Sequence, residues 1–317
     1  MSIVGRSEMK VFSGNSNLPL AQKIVEYIGS RLGDCELSKF ANGEINVRIN
    51  ETVRGYDVYV IQSISEPVND NLMELLIMID ALKRASSGSI SVIIPHYGYA
   101  RQDRKAKGRD PISAKLVANL LTSAGADRIV TIDLHSEQIQ GFFDIPVDNL
   151  WSFPVFAEHF SNCKDIDLND VVVVSPDVGG VKRARKFAEK LSTPLAILDK
   201  RRPKDNVAEI VNVIGDVRDK TCIMFDDMID TGGSLIESSQ ALEKNGAKKI
   251  IACATHGILS KDAKDRLQKS NIHKVIITDS IKHNDLPEKF EVLSVAPLFG
   301  EAVVRIRKNL SVSILFK

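Results

Sequence analysis

Charge of one sign is what this chain most plainly lacks: 42 Lys and Arg stand against 41 Asp and Glu, a formal net charge of +1 over 317 residues. A protein that coats nucleic acid or an anionic membrane carries a broad excess of base, so neither class fits. Cysteine is scarce as well. Cys35, Cys163, Cys222 and Cys253 lie far apart with no CxxC pair, which argues against a structural zinc site and for a reduced, cytoplasmic setting. Long apolar runs are also missing. The best, residues 72–82, is broken by Glu74 and Asp80 and falls short of the roughly 18 residues a membrane span needs. The opening MSIVGRSEMK has no apolar core of a signal peptide.

What is present reads as a packed protein. With 44% hydrophobic residues the chain is not disordered, and at roughly 150 residues per domain its length suggests two. Short, continuous β-branched runs recur at residues 58–61, 91–94, 129–132, 171–174, 222–225, 250–254 and 274–278, as expected of strands covered on both faces. Helical patterns lie between them, at residues 20–32 behind Pro19, 72–82, 112–124, 181–191 and 235–245, the last stopped by Gly246. Strand and helix in alternation mean an α/β fold with mostly parallel sheets. Pro146, Asn149 and Pro154 punctuate the chain where apolar continuity drops, which places a domain boundary near residue 150.

In such folds chemistry is sought just beyond the carboxyl ends of strands. After the run 222–225 the sequence reads DDMIDTGGS and then a helix. Gly232 and Gly233 let backbone amides approach an anion, Thr231 and Ser234 add hydroxyls, and the helix presents its positive end. This is a phosphate cradle but not a Walker loop, since no GxxxxGK[ST] occurs. Asp226 and Asp227, where the strand is expected to end, could hold sugar hydroxyls directly or through hydrated Mg²⁺. The plainer alternative is that the acids and TGGS only cap the next helix. The whole string of apolar strand, paired acids, third acid, small turn and helix is more specific than that, and it looks like the phosphoribosyl-binding motif.

A second cluster has Arg101, Arg104, Lys105, Lys107 and Arg109 in one loop beside Tyr97 and Tyr99. It is either a solvated surface loop or a polyphosphate and purine site, where guanidinium pairs with phosphate and stacks on a base. Elsewhere Lys182, Arg183, Arg185 and Lys186 begin a helix after Asp177, Gly179 and Gly180. Bases in a first turn oppose the helix dipole unless an anion lies nearby or they point away along a solvated face.

Taken in order, FSGN from Phe12, FANGE from Phe40, YARQDRK from Tyr99, LHSEQIQGFF from Leu134, SPDVGGVKRA from Ser175, DKRRP from Asp199, the DDMIDTGGS string and the closing SVSILF resemble the ribose-phosphate pyrophosphokinase family, and within it the phosphate-activated class. The resemblance covers essentially the whole chain. It implies two phosphoribosyltransferase-like domains, 1–150 contributing to an ATP site and 151–317 carrying a ribose 5-phosphate loop. It implies transfer of the β,γ-diphosphoryl group of Mg-ATP to the anomeric hydroxyl of ribose 5-phosphate, giving 5-phosphoribosyl 1-pyrophosphate and AMP for nucleotide biosynthesis. By the same resemblance Phe40, Asn42, Gly43, Glu44, Arg101, Gln102 and Asp103 bind ATP, and His135 and Asp177 are the Mg²⁺-associated pair. Lys200 and Arg202 act on the transferring group. Arg202, Asp226, Asp227, Asp230, Thr231, Gly232, Gly233 and Ser234 hold ribose 5-phosphate.

Mg²⁺ prefers oxygen donors, so Asp177 suits it better than His135. Residues 200–206 are polar, contain Pro203 and read as an exposed, mobile loop able to close over substrate. Two positions depart from the family's commonest pattern: Asn42 stands where aspartate is usual, and Gly233-Ser234 replaces Gly-Thr. Both keep hydrogen-bonding capacity, which puts nucleotide preference in question more than activity.

By the same resemblance Ser311, Ser313 and Phe316 match part of a site for activating phosphate and inhibiting ADP, and a homohexamer is implied. Val312, Ile314 and Phe316 also alternate like a terminal strand. Two rivals remain. A non-catalytic homologue would have lost the Lys200 loop or the DDMIDTGGS string, and both are intact. A base-specific phosphoribosyltransferase leaves YARQDRK and the first domain unexplained.

Overall fold

The computed structural model describes residues 8–201 and 210–316. The chain divides into two units, the first holding the residues through Trp151 with Ser280–Lys282 and Val295–Lys317, the second Ser152–Asp279 and His283–Ser294.

In the first unit, strands β1 (Met9–Ser13), β4 (Asp57–Ile61), β5 (Ser89–Ile94), β6 (Arg128–Ile132) and β7 (Val147–Leu150) form a parallel sheet in that order, and β2 (Cys35–Lys39) with β3 (Ile45–Ile49) forms a separate antiparallel hairpin. Side chains alternate across the sheet, so each apolar run serves two cores. Val58, Val60, Val92 and Ile129 pack with Leu75, Met78 and Leu82 of α2 (Val68–Arg84) and with Val117 and Leu121 of α3 (Ser113–Ala124). Tyr59, Ile61, Ile93, Val130 and Ile132 pack on the other face with Leu20 and Ile24 of α1 (Leu18–Tyr27). Burying one such aliphatic side chain contributes about 1.5–3 kcal/mol. The expected helix over 20–32 is shorter than its pattern. It stops at Tyr27, Gly29 turns to φ +66°, and Leu32 leaves to bridge with Val11.

The hairpin is stitched to the chain start through Glu51. Its carboxylate accepts from Lys10 Nζ at 2.5 Å, Arg31 Nη1 at 2.9 Å and the Asp34 N–H at 2.9 Å. The Lys10 hydrogen bond, first among these, pulls the Glu51 carboxyl down to about 2. A lowered folded-state value stabilises the fold above the unfolded carboxyl value and loses that contribution as pH falls through the folded one. Glu51→Gln is therefore expected to lower the thermal midpoint at pH 7 and to lower it much less near pH 2; an equal deficit at both pH values would show that the ion pairs contribute nothing.

The second unit is built on a seven-stranded sheet in the order β10 (Ile210–Ile214), β9 (Leu195–Arg201), β8 (Val171–Ser175), β11 (Thr221–Ile229), β12 (Lys249–Gly257), β13 (Lys274–Thr278), β14 (Phe290–Leu293), parallel except for β10 against β9. Val172, Val174, Met224 and Ala252 pack with Leu242 of α6 (Gly233–Lys244) and Leu267 of α7 (Ala263–Lys269). Behind the sheet, Phe225 meets Phe187 of α5 (Val181–Leu191) at 4.6 Å between ring centres and Phe156 of α4 (Phe153–Asn162) at 5.2 Å. These rings fix the strand immediately before Asp226.

A single cut at residue 150 does not describe the chain's end. Ala296, Phe299, Ala302 and Val303 of α8 (Ala296–Arg307) bury against the α1 face of the first unit, so the last residues return there. Nor is the terminus a strand. Val312–Phe316 is a 3₁₀ helix, whose period of three aligns Val312 and Leu315 on the core and turns Ile314 outward. Among the described residues no helix is long and apolar enough to cross a membrane.

Candidate functional site

The carboxyl edge of the second unit's sheet gathers the acids. β11 runs on to Ile229, past where the sequence pattern ends it, so Asp226 and Asp227 lie within the strand, with Asp226 opposite Ala254 of β12. Asp226 keeps its side chain about a quarter exposed (26%), whereas that of Asp227 is 6% exposed and 3.1 Å from Arg183 Nη1. Burial, then the neighbouring Asp227 carboxylate, push the Asp226 carboxyl well above its ordinary range, against the pull of Arg183.

Asp177 follows β8. One of its oxygens accepts the Gly180 N–H at 2.7 Å and its residue is exposed. Gly180 shows how near the acids are: a Cβ there would stand 3.5 Å from Asp177 Oδ1 and 4.0 Å from Asp226 Oδ1. Two carboxylates thus border one small space beside a glycine.

The turn expected to cradle phosphate forms as its residues dictate. Gly232 adopts φ +73° at the start of α6, a conformation that favours glycine, and has no side chain to offer the amides of the first turn. Those amides and the helix's positive end are what an anion would meet at Gly233 and Ser234. Leu267 supports the turn from below, 3.1 Å from where a Gly232 Cβ would be, and Ser260 donates its N–H to the Asp230 carbonyl. Arg266 also adjoins the cradle, donating to the Thr231 carbonyl at 3.4 Å. Sequence reading passed it over because it belongs to α7, 35 residues away.

Lys200 lies near the end of β9, with its backbone opposite Val211. Arg202 and the rest of the expected mobile loop through residue 206 lie outside the described residues.

In the first unit, Phe40, Asn42, Gly43 and Glu44 form the exposed tip of the β2–β3 hairpin. Asn42 closes that turn itself, its Oδ1 accepting the Glu44 N–H at 3.1 Å, and Gly43 takes φ +91°. Arg101, Gln102 and Asp103 belong to the loop after β5. Tyr97 anchors the loop by donating to the Ala114 carbonyl at 3.0 Å, and Gln102 by bonding Ser113. The Asp103 carboxylate is engaged by Gln138 at 3.2 Å, tying this loop to the His135 segment beyond β6. His135 is exposed. The first turn of α2 braces both regions, with Asp70 paired to Lys39 at 2.5 Å and Asn69 bonded to Tyr99.

Behind these residues lies a buried network that the sequence hints at only through Glu74, the acid breaking an apolar helix face. Glu74 accepts from the Asn15 N–H and Nδ2, both at 2.7 Å, and from Gln62 Nε2 at 2.8 Å. A Cβ at Gly14 would come within 2.4 Å of the Gln62 side chain, so the glycine of FSGN is sterically required.

The Asp177 carboxylate of the second unit is exposed and is of the oxygen type that a divalent ion such as Mg²⁺ prefers. Among the described residues no three His, Cys, Asp or Glu side chains form a closed metal cage. Mg²⁺ commonly takes one or two carboxylates and completes its shell with water and substrate phosphate. Ser311 and Ser313 are exposed next to and within the terminal 3₁₀ helix, with the Ser311 carbonyl accepting from Arg305 at 3.1 Å; the Phe316 side chain lies outside the description.

Comparison with known proteins matches residues 9–125 to the N-terminal domain of ribose phosphate pyrophosphokinase and residues 199–317 to the phosphoribosyl synthetase-associated domain. A ribose-phosphate pyrophosphokinase of Thermosipho africanus is 66% identical, covering 99% of both chains. One of Thermotoga maritima is 67% identical over 98% of this chain and 99% of its own. The crystal structure of phosphoribosylpyrophosphate synthetase from Mycobacterium smegmatis superposes with a TM-score of 0.89 at 44% identity, covering 96% of this chain and 100% of that one.

Proposed function

The chain belongs to the ribose-phosphate pyrophosphokinase family, and from that we propose that it transfers the β,γ-diphosphoryl group of ATP to the anomeric hydroxyl of ribose 5-phosphate, yielding 5-phosphoribosyl 1-pyrophosphate and AMP. The observation that carries the reading is the second unit's carboxyl edge, where Asp177 and Asp226 border one space and an anion cradle opens at the start of α6.

In this reading the 5-phosphate rests on the amides and hydroxyls of Thr231, Gly232, Gly233 and Ser234, with Asp230 closing the turn. Asp226 orients the sugar by accepting hydrogen bonds from its hydroxyls, and Asp227 acts beside it. Phe40, Asn42, Gly43 and Glu44 on the hairpin tip, with Arg101, Gln102 and Asp103 on the loop after β5, receive ATP. Phe40 offers an exposed ring to a base and Arg101 a guanidinium to phosphate. Lys200 and Arg202 neutralise charge on the moving group, the main task when one anion is passed to another. Asp177 and His135 would hold Mg²⁺, which when bound neutralises polyphosphate charge. Ser311, Ser313 and Phe316 would contribute to an effector site for phosphate or ADP in a homohexamer of a cytoplasmic enzyme.

The test is an assay of purified protein with ATP and ribose 5-phosphate, with and without Mg²⁺ and inorganic phosphate, read by mass spectrometry or NMR. Equimolar AMP and phosphoribosyl pyrophosphate are expected, with none formed when EDTA removes the divalent ion. ADP in place of AMP would mean an ordinary kinase and overturn the proposal. Stimulation by phosphate would support the effector site.

A further inference from the structure

We infer that Arg183 is a positioning residue for the reaction: from the first turn of α5 its guanidinium holds the Asp226 and Asp227 carboxylates in one arrangement, leaving Asp226 aimed at the sugar, without itself touching substrate. The inference rests on residues 226–234 being the ribose 5-phosphate site.

The geometry is specific. Arg183 Nη1 is 3.1 Å from Asp227 Oδ1 and 3.5 Å from Asp226 Oδ1, and the arginine side chain is only 12% exposed. Successive residues in a strand normally face opposite sides, so one cation rarely reaches both. Here β8 pairs with β11 only as far as Met224 opposite Val174, and both acids lie past that last pair, where Arg183 reaches them. Asp226 Oδ1 also accepts the Asp227 N–H at 2.8 Å. One oxygen of Asp226 is therefore pinned from two directions.

A cation in the first turn of a helix opposes the helix dipole, so Arg183 stands at an unfavourable position that only nearby anions offset. Both contacts come from Nη1, and a guanidinium suits the task better than an ammonium because its rigid plane fixes the direction in which that nitrogen faces the two acceptors. Arg183 also counteracts the burial and crowding that favour protonated Asp226.

The test compares Arg183→Gln and Arg183→Lys with the unmodified enzyme in thermal midpoint, kcat, and KM for each substrate. Arg183→Gln removes the cation shared by the two carboxylates and is expected to lower the midpoint by roughly 10 °C. Arg183→Lys keeps the charge and should regain most of that loss. It cannot hold both acids in register, so kcat/KM for ribose 5-phosphate should remain about tenfold or more below the unmodified enzyme, with KM for ATP unchanged. A lysine variant with undiminished kcat/KM for ribose 5-phosphate, or one in which KM for ATP worsens in parallel, would reduce Arg183 to a structural counter-charge. Unmodified enzyme that forms no AMP would instead defeat the reading of the reaction, so the two failures are distinguishable.

Discussion

Replacing Lys200 with alanine is expected to lower kcat by about a thousandfold while the folded protein and its equilibrium binding of ATP and ribose 5-phosphate change little. The reaction moves a multiply charged group between two anions, and a residue that meets it only during transfer stabilises the transition state rather than the bound reactants. In the proposed reading Lys200 acts from the end of a strand. Its backbone is held opposite Val211 near the end of β9, a strand beside β8, and β8 leads directly into Asp177. Single-turnover measurement of AMP release, with binding measured separately by calorimetry, checks the claim. Unchanged turnover would remove Lys200 from the chemistry, and a loss confined to binding would make it a substrate clamp.

Asp226→Asn is expected to weaken catalysis and strengthen the fold at once. Loss of the charged acceptor should reduce kcat/KM for ribose 5-phosphate by about ten- to a hundredfold, the scale of one hydrogen bond to an ionised group. Stability should move the other way, because burial and the adjacent Asp227 hold the Asp226 carboxyl above its ordinary range. A group whose folded value is raised keeps its proton to higher pH than the unfolded chain does, so its ionisation costs stability as pH rises. The asparagine variant escapes that cost. Its thermal midpoint should exceed that of the unmodified enzyme at pH 7 and match it below about pH 4, where the unfolded chain's own aspartate is protonated. A variant destabilised at pH 7 would show that the carboxylate is there for the fold.

These two residues were readable from the sequence through different signals. The DDMIDTGGS string carries its own physics: small residues where the backbone must turn to positive φ, acids beside them, a helix behind. The structure realises that turn at Gly232 and the helix from Gly233. Lys200 could be singled out only through family resemblance, since a short basic run has no local meaning. Asn42 shows the opposite limit. Its residue type is compatible with nucleotide recognition, and its Oδ1 also closes the hairpin turn, which only the folded loop reveals.

By itself the sequence determined the seven apolar strand runs and most of the helices between them, because a strand buried on both faces leaves a short continuous β-branched run and a helix buried on one face leaves a 3.6-residue period. It also determined the glycine turn at the cradle, which depends on near neighbours alone. Tertiary structure decided what depends on distant partners. It returned α8 to the first unit against α1, wound the last residues into a 3₁₀ turn, extended β11 beyond the acids by pairing it with β12, and brought Arg183 onto Asp226 and Asp227. The physical reason is the same in each case. Local backbone preference is set within a few residues, whereas the direction a side chain takes, and the charge it meets, are fixed only when elements far apart in the chain pack together.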